Sequence, residues 1–346
     1  MRVLVFTNMY PTTDRPWYGV FVEQQVASLQ RIGIEVDVQV HLGYRSRWNY
    51  ARGLLDLRRR LRRGRYGLIH THHAYSTILA WAAVRLMDGR PPIVQTLHDS
   101  DMFEQAGGYG EDWAGRLKYW RKLTAWALAR CDFVIPVYEA QMRAVYGSGA
   151  RWPRHRVIPM GVDMEKFRNG SKAEARRRLG WAPRGFVVFF PCDPDKRVKR
   201  FDLARAGFEL FSRWRSDAML VTAGDVHYES MPDYYRAADV VLMTSDRETG
   251  PMTLREALAS ERPVVTTDVS DVRARYGHLE GVRLCERNAE QIAEQLCGVA
   301  EGGAETHAGR QQLIEQEMEL GQVARRVVNV YEEVVEASGR RSQRRS

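Results

Sequence analysis

Two acidic residues, Glu248 and Glu256, stand eight residues apart in the segment SDRETGPMTLREALASERPVV, Ser245–Val265. Between them, Gly250 permits close backbone approach, and Pro251 fits a first helical turn, where its missing N–H costs nothing. Free backbone N–H groups at a helix start favour a phosphate. The segment therefore predicts two carboxylates facing one ligand at a strand–helix junction. An ordinary capped surface helix with solvated acids is the alternative.

A second candidate is the basic loop in FFPCDPDKRVKRFDLA, Phe189–Ala204. It carries Lys196, Arg197, Lys199 and Arg200. Cations crowded into one loop repel one another unless an anion is present. The loop therefore predicts an anion site, or else a solvated basic turn.

In the first half of the chain, polar residues stand where predicted strands or loops end. Gly19 follows the loop Asn8–Tyr18 and precedes a predicted helix, so it can let a helix N-terminus face an anion. His98 follows the predicted strand Ile93–Leu97, and His72 follows another strand. A turn glycine and structural histidines are the alternatives.

Metal binding is not predicted. The histidines 70, 72 and 73 lack a matching helix spacing of Asp, Glu or His ligands. Two Asp-x-Asp tripeptides occur, Asp99–Asp101 and Asp193–Asp195, but such tripeptides arise easily by chance. Basic residues and helix termini already offer charge neutralisation.

Short apolar runs alternate with helical patterns in both halves of the chain, which is typical of parallel sheets covered by helices. The second half begins with a short polar helix, Lys172–Leu179, and the last predicted helix is Gln322–Val335. The fold class is therefore α/β, with two Rossmann-like doubly wound domains joined near Val157–Phe167. Ligands of such domains bind at the carboxyl ends of the strands, so the expected site is an interdomain cleft. The predicted strands are Val3–Thr7, Val36–Val40, Leu68–His70, Ile93–Leu97 and Phe133–Pro136, then Val187–Phe190, Ala218–Thr222, Val240–Met243, Pro263–Thr266 and Val282–Leu284.

The composition points to a cytoplasmic protein with anionic partners. The chain has 346 residues, with 52 basic and 43 acidic side chains and a net charge of +9. Only six of the basic residues are lysine, which points to a GC-rich genome and discounts part of the charge as a sign of function.

The sequence contains no module of interleaved aromatic and basic residues of the kind that binds nucleic acid. The longest apolar stretch, Thr77–Met87, is too short to span a membrane, and the four cysteines lack CxxC spacing.

The segment LLDLRRRLRRGRYG, Leu54–Gly67, predicts a helix with leucines on one side and the arginines of Arg58–Arg65 around them. Such a helix can rest on the anionic inner face of a membrane. A core-packed helix with a solvated basic face is the alternative. Tyr109 and Trp113, after a Gly-Gly loop, are candidates for a binding pocket or for core positions.

Together these segments resemble the family-four glycosyltransferases of GT-B fold. The resemblance extends to VIPMGVDMEKF at Val157–Phe167, MPDYYRAADVVLMTS at Met231–Ser245 and YGVFVEQQVASLQRIGIEVDV at Tyr18–Val38. The sequence departs from the family pattern at four places. At Thr249–Pro251 the family has Gly-Phe followed by Pro or Gly. Met160 stands where the family has Asn, and Cys192-Asp193 stands where the family has Gly-Arg. The stretch from Ala218 to Tyr235 is shorter than in the family.

The resemblance implies a role for each candidate residue. Glu256 would bind the ribose hydroxyls of a nucleotide sugar, and Glu248 would bind the donor sugar. The implied catalytic residues are His98, Lys199 and Glu248. The implied donor-binding residues are Gly19, Arg197, Lys199, Glu248, Gly250, Pro251, Met252, Thr253 and Glu256, and the acceptor candidates are His72, Tyr109 and Trp113.

The resulting prediction is a retaining glycosyltransferase that needs no metal or cofactor. It moves a hexose-type sugar from a nucleoside diphosphate, with UDP favoured, to a hydroxyl acceptor. That acceptor is a lipid-linked or envelope glycan or a small natural product. The predicted domains are an acceptor-binding domain (1–160), a nucleotide-sugar domain (161–321), a helix crossing back (322–338) and a disordered basic tail (339–346). A nucleotide-sugar epimerase and a catalytically silent nucleotide-sugar-binding partner remain as alternatives.

Overall fold

The computed structural model describes residues 1–43, 45–46, 48–98, 113–147, 151–224, 226–302 and 307–343, without the side chains of 113–120 and 341–343. The chain divides into two compact units. The first comprises Met1–Met160 with Leu320–Ser346, and the second comprises Gly161–Glu319. Within the described part of the chain, no helix combines the length and apolarity needed to cross a lipid bilayer.

The first unit contains a five-stranded parallel sheet with the strand order β2-β1-β3-β4-β5. The strands are β1 (Arg2–Thr7), β2 (Glu35–Val40), β3 (Leu68–His72), β4 (Ile93–Leu97) and β5 (Phe133–Pro136). The helices are α1 (Val20–Arg31), α2 (Trp48–Arg63), α3 (Ala74–Val84), α4 (Trp113–Leu128), α5 (Glu139–Tyr146) and the last helix of the chain, α13 (Leu320–Gln343).

Alternating side chains of the central strand cover both faces of this sheet, as the period of two in a strand requires. Val3 and Val5 pack in one apolar cluster with residues of α1 and α13. Leu4 and Phe6 point the other way and pack with residues of α2 and α3. The first unit is therefore doubly wound.

The second unit repeats this architecture, with the strand order β10-β9-β8-β6-β7 and every pairing parallel. Phe186 and Val188 pack with residues of α7 and α11, while Val187 and Phe189 pack with residues of α8 and α9. The predicted fold class is confirmed in both units. The elements are α6 (Lys172–Leu179), β6 (Phe186–Phe190), α7 (Phe201–Trp214), β7 (Ala218–Thr222), α8 (Met231–Ala237), β8 (Val240–Met243), α9 (Met252–Ala259), β9 (Val264–Thr267), α10 (Val272–Tyr276), β10 (Val282–Cys285), α11 (Ala289–Gly302) and α12 (His307–Glu315).

The C-terminal segment differs from its prediction. Helix α13 continues to Gln343, so the predicted disordered tail is wrong for residues 339–343. A glycine inside a helix costs only about 1 kcal/mol relative to alanine, and Gly339 therefore does not end a helix that is already formed. An ion pair one turn apart, between Arg340 and Glu336 at 3.2 Å, supports this last part.

Helix α13 is an integral part of the first unit because Tyr331 binds a buried histidine. The fully buried Tyr331 hydroxyl lies 2.6 Å from His70 Nδ1, and His70 Nε2 lies 2.8 Å from the hydroxyl of Thr96. Burial lowers the pKa of His70 to about 3, so its imidazole is neutral and has one donor and one acceptor nitrogen. Both nitrogens are therefore satisfied.

Tyr331→Phe should reduce the free energy of unfolding by roughly 1–3 kcal/mol, because it leaves a buried imidazole nitrogen without its partner. Urea-induced unfolding measures this change. Glu332→Gln, an exposed substitution on the same helix, is the control and should change little. Equal midpoints for Tyr331→Phe and wild type would contradict the anchoring role.

Candidate functional site

The acidic and basic segments of the second unit follow the neighbouring strands β6 and β8. Parallel strands end at the same edge of a sheet, so the two loops meet there. The Asp246 N–H donates to the Val198 carbonyl at 2.9 Å, and the Thr244 hydroxyl donates to the Lys199 carbonyl at 2.9 Å. The structure therefore brings together the two segments whose residues carry the predicted chemistry.

Lys199 and Glu248 form an ion pair. Lys199 Nζ lies 2.5 Å from Glu248 Oε1, and the Ser245 hydroxyl donates to the same oxygen at 2.7 Å. Only 19% of the lysine side chain and 13% of the glutamate side chain are exposed. These charge-assisted bonds hold the two side chains against each other in the ligand-free structure. No local pattern in the sequence indicates Ser245 as a partner of Glu248.

The other cations of the basic loop have different environments. The Arg200 guanidinium pairs with Asp202 at 3.0 Å and with Asp246 at 3.1 Å, and these carboxylates raise its pKa. Arg197 is exposed and forms no ion pair with any residue in the described part of the chain. Its charge is thus available to an anionic ligand.

Gly250 forms a turn between the two glutamates that a residue with a Cβ would adopt only with strain. Its φ is +72°, and a Cβ here would lie 3.0 Å from an Arg255 guanidinium nitrogen. Its N–H donates to the Ser270 hydroxyl at 2.9 Å, and its carbonyl accepts from Arg255 at 3.1 Å. Pro251 is the residue before α9, which begins at Met252. The turn is therefore fixed by side chains on both sides.

Glu256 is the most buried of the candidate acids, with 3% exposure. Its Oε1 accepts from the Tyr228 hydroxyl at 2.9 Å, and its Oε2 accepts from the Tyr235 hydroxyl at 2.8 Å. Burial raises the pKa of Glu256, while the two phenols and the charge of Lys166 act to lower it. Neither tyrosine is among the sequence-based candidates, although both lie in or beside the candidate segments.

The thiol of Cys192 lies near both the acidic segment after β8 and the basic loop after β6. Burial raises its pKa; the charges of Lys199 and Lys196 lower it, and those of Glu248 and Glu256 raise it further. One thiol after β6 therefore lies within electrostatic range of both predicted acids and of the basic loop. This is the arrangement expected at the carboxyl edge of the sheet.

Gly19, His72 and His98, three of the candidates in the first unit, are buried. Gly19 has a φ of +78°, and a Cβ would lie 2.4 Å from the backbone of Met9, so this position requires glycine. His98 Nε2 lies 3.0 Å from His72 Nδ1, and His72 is fully buried. Burial lowers the pKa of both histidines, that of His98 to about 3. His72 therefore contacts His98, and its role toward an acceptor stays a prediction.

Some sequence-based candidates cannot be placed. Tyr109 and the Asp99–Asp101 tripeptide lie outside the described residues, as does the side chain of Trp113. Asp193 Oδ1 accepts from the N–H of Asp195 at 2.9 Å, so the other Asp-x-Asp sequence closes a turn. No group of three or more His, Cys, Asp or Glu residues in the described ranges is arranged to hold a metal ion.

The arrangement in the second unit suits a ligand with both hydroxyl and phosphate groups. A carboxylate has about four lone-pair sites, and the phenols occupy two of those on Glu256. Lys199 and the exposed Arg197 supply positive charge beside it. Hydroxyl-binding acids next to cations can bind a phosphorylated sugar derivative.

Two family models match the chain. Glycosyltransferase Family 4 matches residues 1–166, and Glycosyl transferases group 1 matches residues 205–301. Similar relatives include TuaC of Bacillus subtilis, described as a teichuronic acid biosynthesis glycosyltransferase. It is 26% identical over 86% of this chain and 88% of its own length. The D-inositol 3-phosphate glycosyltransferase of Geodermatophilus obscurus is 25% identical over 71% of this chain, which spans only 63% of that relative.

Solved structures share the fold. Sucrose-phosphate synthase from Thermosynechococcus elongatus matches with a TM-score of 0.76 and 18% identity over 97% of this chain and 99% of its own. HepE of Anabaena, in complex with UDP-glucose, matches with a TM-score of 0.71 and 15% identity over 96% of this chain and all of its own. The chain is thus a glycosyltransferase of GT-B fold, and it is similar to the family-four glycosyltransferases in both halves of its sequence.

Proposed function

We propose that this glycosyltransferase uses a UDP-sugar as donor and moves a hexose to a hydroxyl acceptor with retention of configuration. The observation that carries the proposal is the buried Glu256 carboxylate, which keeps two acceptor sites for the vicinal hydroxyls of a ribose. The relation to TuaC supports a glycan acceptor, and the UDP-glucose in the HepE structure supports the donor.

The other residues of the second unit take the remaining parts of the donor. Glu248 binds hydroxyls of the donor sugar, while Lys199 and Arg197 bind the diphosphate. The backbone of Gly250, Pro251, Met252 and Thr253 lines the sugar and the diphosphate. A unit charge about 4 Å from the leaving diphosphate is worth roughly 4 kcal/mol at an effective dielectric of 20. If this energy is gained only in the transition state, it accelerates transfer by about three orders of magnitude.

The chemical step in this proposal is a front-face displacement. The bond from the anomeric carbon to the diphosphate oxygen breaks, and the acceptor oxygen bonds to the same face of that carbon. The acceptor proton passes to the departing diphosphate, so no metal ion or protein nucleophile is needed. The first unit binds the acceptor, and Gly19 lets the start of α1 face the diphosphate. His98 contacts the donor sugar as a neutral hydrogen-bonding group, because its pKa of about 3 leaves it uncharged at neutral pH.

The donor class is tested by calorimetric titration with UDP, GDP and ADP, first without metal and then with magnesium. UDP should bind without metal, and the other nucleotides should bind more weakly.

Mass spectrometry of reactions with a UDP-hexose then separates transfer from epimerisation, because an epimerase converts the donor without any acceptor. Selective binding of GDP or ADP would overturn the choice of UDP, and strict dependence on magnesium would contradict the metal-free mechanism.

Lys199→Ala and Glu256→Gln should each lower kcat/KM at least tenfold, equivalent to about 1.4 kcal/mol of transition-state stabilisation. Glu256→Gln should not lower the unfolding midpoint at neutral pH, because a buried carboxylate with a raised pKa opposes folding there. Arg213→Ala, which removes an exposed charge from α7, is the control. Wild-type rates in both site variants would refute the assignment.

We also propose that α2 contacts anionic lipid. Leu57 and Leu61 are buried in the first unit, so the leucine side of α2 packs on the core. The outer surface presents Trp48 and Leu55, which are 82% and 53% exposed, together with exposed arginines of the Arg58–Arg65 segment. Exposed aromatic and apolar side chains among arginines suit a lipid headgroup region.

Vesicles containing phosphatidylglycerol should co-sediment with the protein at low salt, and pure phosphatidylcholine vesicles should not. Replacing both Arg62 and Arg63 with Glu should reduce the bound fraction several-fold, because each basic residue near an anionic surface contributes about 1 kcal/mol. Replacing Arg205 and Arg213 of α7 with Glu is the matched control for net charge. Equal sedimentation of all three proteins would exclude α2 as the lipid contact.

A further inference from the structure

The Glu256 carboxylate is held from two further elements of the second unit. Tyr228 lies in a short 3-10 turn, Tyr228–Ser230, between β7 and α8, and Tyr235 lies in α8. Each phenol donates to a different oxygen of the same carboxylate, at 2.9 and 2.8 Å. A turn and two helices thus converge on one buried acid.

The two phenol rings are themselves fixed by packing. The fully buried ring of Tyr235 lies edge-on to Phe189 at 5.2 Å and to Phe167 at 5.5 Å between centroids. The Tyr228 ring contacts Phe167 at 5.7 Å, and the Lys166 ammonium lies 4.4 Å from its centroid. Neither hydroxyl can therefore rotate far from Glu256, and the carboxylate is held by groups that are rigid before any ligand binds.

We propose that Tyr228 and Tyr235 are positioning residues that hold the Glu256 carboxylate for the 2′ and 3′ hydroxyls of the donor ribose. This inference rests on the proposed function of Glu256. The phenols fill one lone-pair site on each oxygen, so each oxygen retains one acceptor site. Two acceptor sites side by side match the two adjacent hydroxyls of a ribose.

The tyrosines also favour the ionised form of this acid. The titratable groups that face Glu256 are Tyr228, Tyr235, Lys166 and the thiol of Cys192. Burial raises the pKa of Glu256, and hydrogen bonds to the ionised form oppose that rise. A protonated carboxyl has lost acceptor capacity, so affinity for the diol falls as the pH drops through this pKa. Removing a phenol raises the pKa, and the loss of affinity then begins at a higher pH.

The test is calorimetric titration with UDP as a function of pH for wild type, Tyr228→Phe and Tyr235→Phe. Each variant should move the acid midpoint of UDP affinity upward by about one pH unit. Affinity should return toward the wild-type value at higher pH, whereas a packing defect would weaken binding at every pH. Tyr234→Phe is the matched control, since its ring packs edge-on to Trp181 at 5.3 Å and should leave the midpoint unchanged.

A second ligand, 2′,3′-dideoxyuridine diphosphate, tests the ribose contact of Glu256 separately from the positioning role of the two tyrosines. It should bind wild type more weakly than UDP and show no difference between wild type and the tyrosine variants at any pH. Equal binding of UDP and the dideoxy compound by wild type would refute the ribose contact of Glu256 in the proposed function. A preference for UDP with superimposable pH curves for wild type, Tyr228→Phe and Tyr235→Phe would overturn the role of the tyrosines.

Discussion

The buried carboxylate of Glu256 is the constraint on which the second unit depends. An ion removed from water is costly unless it is paired or fully hydrogen-bonded. Here the compensation comes from two phenols that other elements deliver, and their rings belong to the apolar cluster on one face of the sheet. The packing of that face therefore determines where the phenols lie, and the phenols in turn stabilise the Glu256 carboxylate.

The two acids of the site have different environments and suit different tasks. Glu248 is paired with a cation, and Lys199 and Ser245 donate to one of its oxygens. Glu256 is bound by neutral donors, so its negative charge is not cancelled by a direct ion pair. A charge-neutral pair can rearrange when a diphosphate competes for the lysine, whereas the rigid carboxylate offers a fixed site for hydroxyl groups.

Sequence patterns predicted the elements well because a strand buried on both faces is a short, almost wholly apolar run. They also selected Glu248, Glu256 and Lys199 as candidates, since strand ends and helix starts are visible locally, and the roles of these residues stay predictions. The contacts of Tyr228 and Tyr235 with Glu256 join residues 28 and 21 positions apart, and no local pattern reports them. The pairing of His72 with His98 likewise depends on β3 and β4 being neighbours. Local patterns also placed Leu54, Leu57 and Leu61 on one side of α2, and that side packs on the core while Leu55 is exposed.

A crystal structure of the protein with UDP bound would show directly whether Glu256 binds the ribose. Both ribose hydroxyls should lie within hydrogen-bond distance of the Glu256 carboxylate, with the bonds from Tyr228 and Tyr235 retained and the diphosphate against Lys199 or Arg197. A nucleotide bound with its ribose away from Glu256, while that carboxylate stays enclosed by the two tyrosines, would contradict this assignment.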